Sequence, residues 1–173
     1  IFGKTKNFYG VSREGSSTSY LKYINFLKKN KLRFQKIFLP ELKNIEGSIL
    51  STEKNINISK IKKIIKRKIT SKKNNINLIL NKEFKSSDLE KYHKVIIATY
   101  ENNNMVLKNL GIKQKKKYKY EFVEKIIVKL PKRFKHKSYM IIDGQFLCID
   151  PFIGTNYHLL SRNKYSKLEI SKG

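Results

Sequence analysis

The sequence predicts a mixed α/β fold, on three observations. Two stretches carry apolar residues at helical spacing behind Ser or Asn caps. The run "KVIIAT" is continuously apolar, as a strand covered on both faces should be. After Gly111 the texture changes to partial alternation broken by turn signals, the pattern of an antiparallel sheet with one wet face. A chain of 173 residues can bury a core, as one domain or as parts of two.

The elements follow in order. In "REGSSTSYLKYINFLKKNKL" a turn leads into a helix that Ser16 or Ser17 caps, because a hydroxyl there can accept a free amide hydrogen of the first turn. Tyr20, Ile24 and Leu27 fall at i, i+4 and i+7, and Tyr23 and Phe26 widen the buried face. "RFQKIFL" reads as a strand stopped by Pro40, and near "EGSILSTEKNINIS" the chain turns again. Asn57 or Ser59 caps a second helix from Lys60 to about Thr70, with Ile61, Ile64, Ile65 and Ile69 as its stripe and lysines on its solvated side. "NINLILN" and "KVIIAT" are read as strands, which makes the order strand, helix, strand, link, strand. "MVLKNL" is a short helix closed by Gly111 at C′. Beyond it "KYKYEFVEKIIVKL", "SYMII" and "QFLCI" around Asp143-Gly144, and "NYHLLS" are strands, the Asp-Gly pair marking a tight hairpin.

Charge is the most conspicuous feature of the composition, a net +26, and Lys and Arg neutralise phosphates. Yet only five of the 39 basic residues are Arg, the side chain that phosphate forks and base edges favour. The lysines are spread from Lys4 to Lys172, dense only in "KIKKIIKRK" and "KQKKKYK", so composition argues against a nucleic-acid partner. No apolar run approaches the roughly 18 residues of a membrane span. A single cysteine, Cys148, allows no internal disulfide and suits a reducing cytoplasm. Because Ile1 is not an initiator methionine, the chain is expected to be a segment of something longer.

Few chemical motifs are present. His93, His136, His158 and Cys148 lack metal-ligand spacing, and no metal site is expected. There is no G-x-S-x-G, Walker loop, H-E-x-x-H or glycine-rich dinucleotide fingerprint. Asp143 and Asp150, the latter before Pro151, read as turn-formers.

Four stretches carry a family resemblance. "NFYGVSREGSSTSYLKYINFLKKNKL", "EKNINISKIKKIIKRKI" with "NINLILNKEF", "HKVIIATYENNNMVLKNLGI", and "YEFVEKIIVKLP" with "MIIDGQFLCIDPFIGTNYHLLS" span nearly the whole chain. Together they resemble the interior of an FAD-dependent oxidoreductase of the D-amino acid oxidase type. The likeness is greatest to bacterial members found with sugar and polysaccharide biosynthesis genes. The resemblance implies part of an FAD/NAD(P)-binding Rossmann-like domain plus an antiparallel substrate-domain sheet that roofs the flavin. It divides the chain into a substrate-domain and helical segment at 1–50, part of the FAD-binding domain at 51–111, the antiparallel sheet at 112–162 and a tail at 163–173.

FAD is the implied cofactor, with Phe84 meeting the adenine through its backbone and Ala98, Thr99 and Tyr100 at the cofactor end of a strand, since ligands sit beyond the carboxyl ends of parallel strands. Tyr100 stands where the wider superfamily has Gly. Arg13, Tyr157 and His158 are the substrate-side candidates for a small amine, amino-acid or sugar-linked molecule oxidised by hydride transfer, with catalytic residues and electron acceptor left unassigned. The glycine-rich pyrophosphate turn would precede Ile1 and the family's closing segment would follow Gly173. Two other readings stand beside this one: a basic nucleic-acid-binding module, and a non-catalytic α/β scaffold that has lost the cofactor.

Overall fold

The computed structural model describes residues 1–113, 118–144, 146–162 and 165–172, with residues 171 and 172 described by backbone alone. The run "KQKKKYK" falls largely outside the described residues, as do parts of the expected hairpin turn and tail. In chain order the elements are β1 (Lys6–Ser12), α1 (Tyr20–Lys29), β2 (Phe34–Ile37), β3 (Ile45–Ser51), α2 (Ile58–Thr70) and α3 (Asn103–Asn109). Then come β4 (Lys119–Val123), β5 (Ile126–Val128), β6 (Lys137–Ile142), β7 (Leu147–Pro151), β8 (His158–Arg162) and β9 (Lys167–Lys172). The class is mixed α+β, with a mostly antiparallel sheet and several helices. The chain forms two compact units: residues 1–67 with 123–168, and residues 68–122 with 169–173.

The first unit is built on a seven-stranded sheet of order β2-β3-β1-β6-β7-β8-β5. Only β1 and β6 run parallel; every other neighbouring pair is antiparallel. Successive residues of β1 serve opposite faces, as strand geometry requires. Phe8 packs with Leu39 and Tyr139 on one side, while Tyr9 joins Ile24, Leu27 and Ile49 on the other. Helix α1 covers that second side with Ile24 and Leu27, each worth about 1.5–3 kcal/mol when fully buried. Phe26 points outward at 57% exposure, so the buried stripe is narrower than its periodicity suggested.

Several expectations are corrected here. The helix cap is Ser19, whose hydroxyl accepts from the Lys22 amide. Ser16 and Ser17 are diverted from capping because their hydroxyls bond the backbone of Ile142 and Asp143 at the end of β6. Residues 45–51, read as a turn, form β3, a central strand, and the tail contributes β9, which pairs with β4 in a separate two-stranded sheet. Strand β1, third in the large sheet, is not among the expected elements. The hairpin of β6 and β7 forms, but pairing of Met140 with Cys148 centres its connection on Gly144, and neither Asp143 nor Gly144 has positive φ. Asn57 does cap α2, accepting from the Lys60 amide at 2.9 Å. Gly111 closes α3 with φ of 70°.

In the second unit "NINLILN" and "KVIIAT", read as strands, make no ladder among the described residues. Continuous apolarity had implied cover on both faces. Instead Val95 and Ile97 are half-buried while Ile96 is 81% exposed, a one-sided pattern. Between the two segments a tight turn at Ser86–Lys91 is held by buried Asp88, which accepts from the Lys85 amide at 3.1 Å and from Lys91 Nζ at 2.7 Å.

Candidate functional site

The largest concentration of charge around a cavity lies in the first unit. A cavity of about 350 Å³ is lined by Gly3 and Lys4, by Lys129 and Leu130 after β5, by Lys132, Lys135 and His136 of the following turn, and by residues 151–158. Its volume is at the lower end of ligand-sized pockets. Four lysines line it and no carboxylate does.

Local structure explains how these groups gather. Pro131 opens a tight turn over Lys132–Phe134, closed by hydrogen bonds from the Phe134 amide to Pro131 and from the Lys135 amide to Lys132. Phe134 inserts its ring edge-on against Tyr139 at 5.9 Å, anchoring the turn to the core. His136 follows with φ of 61°, and its carbonyl accepts from the Lys6 amide. On the opposite wall the loop between β7 and β8 is closed by Thr155, whose hydroxyl donates to Phe152 and accepts from the Tyr157 amide. Gly154 takes φ of 95°, a conformation that side chains rarely adopt.

His158, the first residue of β8, joins the two walls. It is only 4% exposed, and its Nε2–H donates to the Phe134 carbonyl at 3.0 Å. That bond places the proton on Nε2, so Nδ1 is an acceptor in the neutral ring and a donor in the protonated one. Nδ1 is buried and has no partner among the described residues, a condition that costs about 1–3 kcal/mol where nothing offsets it. Tyr157 lines the same cavity and is half-exposed.

Of the three substrate-side candidates, Tyr157 and His158, consecutive in the chain, line this cavity together with four lysines that were not among the candidates. Spacing could not have found these lysines, since Lys4 meets the others only through the parallel pairing of β1 with β6. Arg13 is exposed just beyond β1 and donates through Nε to the Ile45 carbonyl at 3.1 Å, outside this lining.

The four cofactor-side candidates lie in the second unit. Phe84 is half-buried, its ring 6.1 Å from Tyr92, and lines a cavity of about 470 Å³ with Leu78, Ile79, Val95 and Ile96. Ala98 and Thr99 are exposed, and Tyr100 is 86% exposed with φ of 58°. Both donors of Thr99, the amide and the hydroxyl, are taken by Asn103 Oδ1 at 2.8 Å each. Thr99 thus has both of its donors engaged locally, and Ala98 lies in no ladder among the described residues.

A smaller cavity, about 330 Å³, holds Cys148 and Asp150 on β7. Asp150, expected as a turn-former, lies within the sheet instead, accepting from Ser138 Oγ at 2.6 Å and Cys148 Sγ at 3.1 Å. Burial first, then the bond to Asp150 and its charge, push the Cys148 thiol up to about 12, so it is a poor nucleophile near neutrality. Among the described residues no helix is long and apolar enough to cross a membrane. Comparison with protein-family models, curated proteins and solved structures finds no match.

Proposed function

We propose that this chain is part of an FAD-dependent oxidoreductase of the D-amino acid oxidase type, and that the cavity around Tyr157 and His158 receives its small-molecule substrate. One observation carries the reading: Tyr157 and His158, the substrate-side candidates on the sheet that would face the flavin, line a ligand-sized cavity of a broad, mostly antiparallel sheet. FAD, when bound, would accept hydride from the substrate. The chain's own contribution is positional. The lysines attract an anionic substrate, and His158, fixed by its bond to the Phe134 carbonyl, holds the lysine-bearing turn in place. The tested quantity is the visible absorption of the purified full-length protein. A flavin spectrum near stoichiometric occupancy supports the reading, and a colourless folded protein that takes up no added FAD rejects it.

A second reading, a relative that no longer uses the cofactor, is favoured by the Thr99–Asn103 arrangement, which leaves Thr99 no hydrogen-bond donor for a nucleotide. The same spectrum separates the two.

A further inference from the structure

We infer that the cavity of the first unit is a site for a phosphate monoester, held by Lys132, Lys135 and their neighbours. The inference deepens the reading of this cavity as the substrate site by naming the chemical class of the substrate. Two observations carry it. The lining holds Lys4, Lys129, Lys132 and Lys135 without one Asp or Glu, and none of the four is ion-paired among the described residues. Such a set is in excess for a single carboxylate, which one Arg fork or one Lys would satisfy; a doubly charged tetrahedral group answers several ammonium point charges at once.

The second observation is the support behind the lysines. The turn that carries Lys132 and Lys135 is tied down by the buried His158 imidazole, whose Nε2 bonds the Phe134 carbonyl, so the backbone of both lysines is anchored to the core.

The test is equilibrium titration of the full-length protein with inorganic phosphate, with acetate as the singly charged control and a single-stranded oligonucleotide as competitor. Saturable phosphate binding is expected, at least tenfold tighter than acetate and at least tenfold weaker in the Lys132→Gln/Lys135→Gln variant. The Lys62→Gln/Lys63→Gln variant removes the same charge from α2, outside the lining, and should bind as the parent does. Absence of saturation, equal binding of acetate, an equal loss in the α2 variant, or displacement of phosphate by the oligonucleotide would each overturn the inference. The visible spectrum is read on the same sample. A yellow protein indifferent to phosphate sinks this inference and leaves the flavoenzyme reading, whereas a colourless one that binds phosphate does the reverse.

Discussion

Thr99 gives both of its donors to a single acceptor, Asn103 Oδ1, with amide and hydroxyl each at 2.8 Å. The residue expected to present a hydroxyl to a nucleotide is instead the start of a local turn that leads into α3. Replacing Asn103 with Ala should remove two exposed hydrogen bonds, cost about 0.5–1.5 kcal/mol in all, and release the Thr99 amide. Hydrogen exchange at that amide is the measurement, and an unchanged rate would show that the bond contributes nothing in solution. If the full-length protein binds FAD through Thr99, the same variant should bind it more tightly.

Cys148 should resist alkylation. Its thiol is raised from 9.0 to about 12 by burial and by Asp150, so almost none is thiolate at pH 8. Folded protein is expected to react with iodoacetamide far more slowly than urea-unfolded protein, and Asp150→Asn to react faster than the parent. The sign of the pH effect follows from proton counts. Between pH 9 and about 12 the folded state holds a proton that the unfolded state has lost, so this residue lowers stability as pH rises through that window. Equal labelling rates of folded and unfolded chains would contradict the burial.

Asp88 should titrate low. The hydrogen bond from Lys91 and then the Lys85 amide hold its carboxyl down from 3.8 to about 2. Here the unfolded state binds the extra proton, so the stabilisation is present above pH 3.8 and disappears as pH falls through about 2. An NMR titration of the Asp88 carboxyl checks this, and a midpoint near 4 would mean that the turn at Ser86–Lys91 is not held as described.

Ile49→Ala should be among the costly core changes. Ile49 is 1% exposed and packs between Ile24 and Leu27 of α1, so truncation leaves a cavity that a sheet and a helix cannot easily close, at about 2–5 kcal/mol. Urea unfolding measures it, with Phe26→Ala on the exposed side of the same helix as a control expected to change little.

How much of this was readable in the chain divides along one line. Features set by neighbours in sequence were legible: the Ile24 and Leu27 face of α1, the Asn57 cap, the Gly111 stop, and the pairing of the two runs around Asp143-Gly144. Each depends on residues within one or two turns, where spacing and capping chemistry act directly. Even there the Ser16 and Ser17 hydroxyls were misassigned, because their partners at Ile142 and Asp143 lie far along the chain.

Whether an apolar run becomes a strand is a different kind of question, since a strand needs a partner and the run cannot name one. "KVIIAT" has the composition of a buried strand and makes no ladder among the described residues, while "IEGSILS", which reads as a turn, sits between β1 and β2. The site shows the same division. Tyr157 and His158 stood out as polar residues at the start of an apolar strand, but nothing in the sequence distinguishes the lysines around them from the other thirty. The class of fold, its local caps and stops, and the excess of positive charge all follow from the order of residues. Which lysines line one cavity, and which nitrogen of His158 lacks a partner among the described residues, follow only from the long-range pairing of β1 with β6 and of β7 with β8, because those pairings join segments far apart in the chain.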